Sequence, residues 1–148
     1  MPQSLAKILV HVIFSTKNRE PMIAADIRTS LHAYITGILQ NLRCPSLRTG
    51  GTADHVHTLL SMARTRAVAE VVEQVKTGSS KWMKHQGIRE FRWQSGYGAF
   101  SIGESQVRAV IRYIGNQDAH HRQRDFQSEF RRLLDRYGVA YDERYVWD

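Results

Sequence analysis

Cysteine is nearly absent from this chain of 148 residues. Cys44 stands alone, which excludes an internal disulfide or a cysteine-rich zinc site and fits a reducing compartment, the cytoplasm by default. Long apolar runs are missing too. The stretch Ile8 to Phe14 is short, is interrupted by His11 and leads to no small-residue cleavage site, so it reads as a strand and not as a secretory leader. Nothing reaches the length needed to cross a bilayer. There is no internal repeat, low-complexity tract or linker, and the length suits one domain over residues 1–148 with one active site. Acidic residues are in deficit, 14 against 21 Lys and Arg, for a formal charge of +7. That balance favours a polyanionic partner, nucleic acid first, over an ordinary basic soluble protein.

What is present is a clear hydrophobic pattern. Ile8 to Phe14 is rich in β-branched residues, and alternation puts Ile8, Val10, Val12 and Phe14 on one face of a strand and His11 on the other. Ile23, Ile27, Leu31, Ile35, Ile38 and Leu42 recur every three or four residues, which predicts a long helix ending before Cys44-Pro45. Ser46 to Thr52 and Asp54 to Met62 read as a hairpin turning near Gly50-Gly51. Val68, Val71, Val72, Val75, Trp82 and Met83 predict a second helix, weakened in its middle by Gly78-Ser79-Ser80. A loop from Trp93 feeds a fourth strand ending at Ile102. Helices from Glu104 to about Asp118 and from Gln123 to Tyr137 follow, the last closed by Gly138. The order β-α-β-β-α-β predicts an α+β fold, a ferredoxin-like split β-α-β antiparallel sheet with helices on one face, plus C-terminal helices.

His55-Val56-His57 lies in the third strand, where a period of two projects both imidazoles to one face and sends Val56, Thr58 and Leu60 to the other. Two histidines converging on one point suit a shared metal ion. A solvated pair on an open sheet face is the plainer reading, and the tripeptide alone does not decide between them. Tyr113 and Gln117 are four apart, one turn on a single helix face, and could bring a nucleophile and a ligand to the same space. The plainer reading makes Tyr113 a core residue at the edge of the stripe Val107, Val110, Ile111 and Ile114. His11, His32, His85, His120 and His121 are weaker candidates, His11 because it could share the sheet face of the site.

Together, a His-hydrophobe-His strand and a later helix bearing Tyr-x-x-x-Gln resemble the HUH single-tyrosine transposases of the smallest bacterial insertion sequences, with their repeat-associated relatives as a subgroup. Other stretches are similar to that family as well: Phe14 to Arg19, Asp54 to His57, Trp93 to Ser101, and Tyr113-Ile114 with Asn116-Gln117 and His120-His121. The resemblance implies that His55, His57 and Gln117 hold a divalent metal, magnesium or manganese, and that Tyr113 is the nucleophile. It implies a DNA transposase that cuts and rejoins single-stranded DNA, with hairpin-forming element ends as substrate, through a 5′-phosphotyrosine and a free 3′-hydroxyl. It also implies a homodimer with composite sites, the two histidines from one chain and Tyr113 with Gln117 from the other.

Three neutral ligands would leave the full charge of the ion to polarise a phosphate. A phenol with a reference pKa of about 10 is ionised in only about one molecule in a thousand at neutral pH, and the sequence identifies no general base. Lys17, Arg19, Lys76, Lys81 and the run from Arg122 to Arg136 are candidate phosphate contacts, each with a solvated face as its plainer reading. In the last helix Phe126, Phe130, Leu133, Leu134 and Tyr137 form an apolar stripe suited to a partner subunit, with Arg131 placed to pair with Asp135. Trp82, Trp93 and Tyr97 could stack on bases or fill a core. Two alternatives keep nucleic acid as the partner: a relaxase or rolling-circle initiator, which usually carries extra domains or tyrosines, and a non-catalytic RNA- or single-strand-binding module on the same fold, which would need exposed aromatics on its central strands.

Overall fold

The computed structural model describes residues 2–117 and 125–148. Four strands, β1 Leu9–Ser15, β2 Ser46–Gly51, β3 His55–Ser61 and β4 Gly98–Ile102, form one antiparallel sheet in the order β2-β3-β1-β4. Helices α1 Ala25–Asn41 and α2 Val68–His85 are the two crossovers, and α3 Val107–Gly115 and α4 Phe126–Arg136 follow the sheet. This is the expected ferredoxin-like α+β arrangement.

The alternation within β1 and β3 sorts the two faces. Val10, Val12 and Phe14 of β1 with Val56 and Leu60 of β3 meet Leu31, Ile35 and Leu39 of α1 and Val71, Val72 and Val75 of α2 in the main core. Ile8 lies outside the strand and is exposed. The predicted weak point of α2 does not interrupt it. A Cβ on Gly78 would come within 2.8 Å of Ile38 Cδ1, so the missing side chain lets α1 and α2 approach. Ser79 is buried, donates to Val75 O at 2.6 Å and accepts from Trp93 Nε1 at 2.9 Å.

The opposite face carries Leu9, His11 and Ile13 of β1 and His55, His57 and Leu59 of β3, and it is covered by the C-terminal helices. Ile114 of α3 packs with Leu9, Leu59 and Ile102, while Phe126, Phe130 and Leu134 of α4 pack on Ile13 and Phe100. The stripe expected to meet a partner subunit therefore serves this chain's own sheet. Burying a Phe or Leu side chain is worth about 1.5–3 kcal/mol, which fastens α4 to the sheet. α4 starts at an Asp125 cap, whose Oδ1 accepts from Ser128 N at 2.9 Å. Arg131 pairs with Glu143, at 2.6 and 3.1 Å, and not with Asp135, because the tail after α4 folds back along it. The expected ends of the last two helices, at Asp118 and Gln123, and the candidates His120, His121 and Arg122 lie outside the described residues.

Candidate metal and tyrosine site

β3 opens at His55, paired in register with Ser15, and places His57 opposite Ile13, so both imidazoles enter the face beneath α3 and α4. Each is completely buried, as are Gln117 and Glu129 to within 2 %. Buried polar groups at this density require mutual satisfaction, and the side chains provide it. His55 Nδ1 lies 2.8 Å from Asp54 Oδ1 and 3.0 Å from Thr52 Oγ1, while its Nε2 lies 3.0 Å from Gln117 Oε1 and 3.4 Å from Glu129 Oε1. His57 Nε2 is 3.1 Å from the same Glu129 oxygen. The second oxygen, Glu129 Oε2, accepts the Tyr113 hydroxyl. One carboxylate thus joins the histidine pair to the tyrosine.

His11 completes the arrangement from β1. It stands diagonal to His57 on the same face, with its Nε2 2.8 Å from His57 Nδ1 and the two rings stacked at 5.0 Å. Burial, followed by the neighbouring His57, pushes the His11 pKa down to about 3, against an opposing pull from Glu129. His11 is therefore neutral and can accept a proton held on His57 Nδ1. With that tautomer His57 Nε2 has its lone pair directed at the centre, as a ligand requires. Asp54 does the same for His55.

The donor set fits a divalent cation. His55, His57 and Glu129 offer ligand atoms all within 4.8 Å of one another. The 3.0, 3.1 and 3.4 Å separations among His55 Nε2, Gln117 Oε1, His57 Nε2 and Glu129 Oε1 are what neighbouring ligands show around an ion with bonds of about 2.1 Å. In the metal-free chain a proton on His55 Nε2 serves Gln117 Oε1 and Glu129 Oε1. Burial lowers the His55 pKa, but hydrogen bonds to Asp54, Glu129 and Gln117 and the Glu129 charge outweigh it and raise it to about 9. Glu129 also changes the expected charge balance. Three neutral ligands would leave an ion its full charge, whereas a fourth, anionic ligand lowers it by one and makes the set half oxygen, closer to what magnesium and manganese accept.

His55, His57, Tyr113 and Gln117 lie in one neighbourhood, and the helix expected to carry the last two is interrupted. Tyr113 and Gln117 do not share a continuous helix, because α3 ends at Gly115 with Asn116 as its cap. Gly and Asn are poor helix formers, and Gln117 returns to the site through Nε2 donating to Tyr113 O at 3.2 Å. Within this single chain all of the groups named here meet in one place. α3 can reach because Gly50 of β2 has no side chain at the point of contact. Gly50, paired with His57, would carry a Cβ only 2.7 Å from Ile114 O.

Glu129 went unnoticed in the sequence. Its signal was an acid three residues after Phe126 and four before Leu133, on the apolar face of the last helix. Lys17, Arg19, Lys76 and Lys81 do not gather around the centre, whereas Arg132 and Arg136 border the cleft that Tyr113 and Glu129 line. Lys76 donates to the carbonyls of Gln94, Ser95 and Gly96 at 2.6–3.0 Å, and burial lowers its pKa to about 8, so it braces a loop and is spent there. Arg19 lies 5.6 Å from the Trp147 ring. Lys17 sits in the short 3-10 turn after β1, and Lys81 is exposed on α2. Trp93 is core, edge-on to Phe14 and Phe91, while Trp82 stacks on Tyr34 at 5.2 Å. No helix among the described residues is long and apolar enough to cross a membrane.

Two solved structures share this fold at a TM-score of 0.60. A candidate transposase from Deinococcus radiodurans R1 is 21% identical, the match covering 79% of this chain and 98% of that one. A REP-associated tyrosine transposase bound to a REP hairpin is 14% identical, with 82% of this chain and 73% of the other covered. No curated protein matches. The sequence pattern of the family described as transposase IS200 like spans residues 4–117, well over half the chain and inclusive of His55, His57, Tyr113 and Gln117, and on that match the chain belongs to the IS200-like transposases.

Proposed function

We propose that the protein is a metal-dependent transposase that cuts and rejoins single-stranded DNA through a covalent link to Tyr113. The observation that carries this reading is Glu129, whose one oxygen faces both buried histidines and whose other accepts the Tyr113 hydroxyl. A divalent ion, magnesium or manganese, held by His55, His57, Gln117 and Glu129 would act as a Lewis acid on the scissile phosphate.

The residues of the chain supply the rest. Tyr113 passes its proton to Glu129 Oε2 as its oxygen attacks phosphorus. A bond forms between the phenolic oxygen and phosphorus, and the bond from phosphorus to the 3′-oxygen breaks, its electron pair leaving on that oxygen. The 3′-oxygen takes the proton, which leaves a 3′-hydroxyl and a 5′-phosphotyrosine. One phosphodiester linkage replaces another, so no nucleotide triphosphate is consumed, and a second 3′-hydroxyl can reverse the step to rejoin a strand. His11 and Asp54 hold the two imidazoles in the tautomers this needs. The hairpin in the REP-associated relative supports hairpin-forming single strands as substrate. Every group comes from one chain, so a homodimer would carry two self-contained sites.

The test is adduct trapping. Wild-type protein with manganese and a labelled single strand carrying a hairpin and its flanks from the DNA beside the gene should give a denaturation-resistant protein-DNA band. Tyr113→Phe should lose the band and keep strand binding. An adduct in Tyr113→Phe would move the nucleophile to another tyrosine, and no adduct with any flanking strand would refute the reading.

A further inference from the structure

Between α3 and α4 lies a cleft of about 840 Å³, within the ~300–1,000 Å³ typical of small-molecule sites. Tyr113 and Glu129 line its inner end, and the chemistry above leaves the remainder unused. On α3, Ala109 precedes Tyr113 by one turn. On α4, Arg132 and Arg136 follow Glu129 on the same helix face, displaced along the axis by about 4.5 and 10 Å. The wall is negative beside the phenol and the cation centre, and beyond them it carries two guanidiniums and the single carboxylate of Asp135, a net positive charge. Tyr137 adds an aromatic surface fixed by stacking on Phe100 at 4.7 Å.

That sequence of groups matches one nucleotide: a phosphate at the reacting end, a sugar and base against an apolar and aromatic wall, and a second phosphate against guanidinium. We infer that the cleft between α3 and α4 is a nucleotide subsite, holding the residue next to the phosphate that Tyr113 attacks, with Arg132 and Arg136 on its outer phosphate and Tyr137 against its base. The inference rests on Tyr113 as nucleophile for the identity of the inner phosphate. Aromatic stacking and phosphate pairing of this kind bind single strands with little regard to sequence.

The probe is thymidine 3′,5′-bisphosphate, a nucleoside with a phosphate on each side, titrated calorimetrically into the full chain with manganese, and pyrophosphate is the comparison without a nucleoside. Ala109 and Arg136 are exposed, so Ala109→Trp narrows the cleft and Arg136→Ala removes a cation without entering the core, and circular dichroism checks that each is folded. The bisphosphate should bind more tightly than pyrophosphate, and each variant should weaken it at least about tenfold at unchanged manganese affinity. On a thymidine oligonucleotide, Arg136→Ala should also flatten the slope of log affinity against log salt by about 0.7, one phosphate's worth. No binding by wild type, equal binding of pyrophosphate, or undiminished binding in Ala109→Trp and Arg136→Ala overturns the subsite. Adduct formation is read separately: a chain that forms the Tyr113 adduct but fails these titrations loses only the subsite, and one that passes them without any adduct loses the nucleophile.

Discussion

Glu129→Gln exchanges one oxygen for an amide nitrogen at constant volume, so packing should barely respond, while three contacts must: those to His57 Nε2, His55 Nε2 and the Tyr113 hydroxyl. In chelator the metal-free His55, with its pKa raised to about 9, is an imidazolium at neutral pH and loses a buried counter-charge. Removing one partner of a buried pair costs about 3–5 kcal/mol. Asp54 and Gln117 stay on the ring at 2.8 and 3.0 Å, which argues for the low end, near 3 kcal/mol. At roughly 2–4 °C per kcal/mol for a domain of this size, the melting midpoint should fall by about 6–12 °C. Manganese affinity, followed by calorimetry, should drop at least about ten- to a hundredfold, the loss typical of disturbing even an outer partner of a metal site. Single-turnover nicking at saturating manganese should fall by about 10²–10⁴, the usual contribution of a positioned proton acceptor. A variant with wild-type melting, manganese affinity and nicking would refute the placement of Glu129. Loss of affinity with nicking intact would leave it a ligand and send the proton elsewhere.

Gly50→Ala should slow single-turnover nicking by about 10²-fold through an ångström-scale displacement of α3, with strand binding by anisotropy unchanged; wild-type nicking would mean that the Gly50 to Ile114 approach does not set the position of Tyr113. Stability of the metal-free protein, measured by urea unfolding, should peak near pH 6.5. His55, facing Asp54, Glu129 and Gln117, contributes stability that is full below 6.5 and is lost as pH rises toward 9, whereas burial, aided by His57 at His11 and by Arg28, Arg48 and His55 at His32, lowers the pKa values of these two to about 3 and 4, the pull of Glu129 on His11 notwithstanding, and they cost stability as pH falls below 6.5. A profile flat from pH 5 to 9 would contradict these environments. Mixing His57→Ala chains with Tyr113→Phe chains should leave nicking dead, and recovery alongside demonstrated subunit exchange would put α3 in the partner's site.

The strands and the first two helices could be read from periodicity because their apolar positions face a single core: Val10, Val12 and Phe14 all enter the core built with α1 and α2. The same alternation brought His55 and His57 together, since a period of two admits no other arrangement. Legibility failed where two faces of one element do different work. α4 buries Phe126, Phe130 and Leu134 on the sheet and turns Glu129 into the site from the same side, and the apolar stripe alone draws no attention to the acid inside it. Lys76 misled in the opposite direction, because a lysine that caps three carbonyls of a distant loop has no local signature. His11 was visible as a polar break in an apolar strand, and its diagonal register with His57 required the strand pairing.

The site draws its order from contacts that are not part of it. Glu129 is delivered by a helix held through Phe126, Phe130 and Leu134 against Ile13 and Phe100, and Tyr113 by a helix held through Ile114 against Leu9, Leu59 and Ile102. Both clusters are apolar and lie on the same sheet face as the histidines, so a centre that carries three imidazoles and a carboxylate is walled by hydrocarbon. In such surroundings each unpaired polar atom would cost about 1–3 kcal/mol, and this penalty selects for the complete pairing seen: Asp54 and Thr52 on His55, His11 on His57, Gln117 and Glu129 across the gap. Preorganisation follows from that order of causes. The apolar clusters fix the helices, the helices fix the candidate ligands, and under the proposed function an incoming cation would exchange with a proton without having to recruit the residues around it.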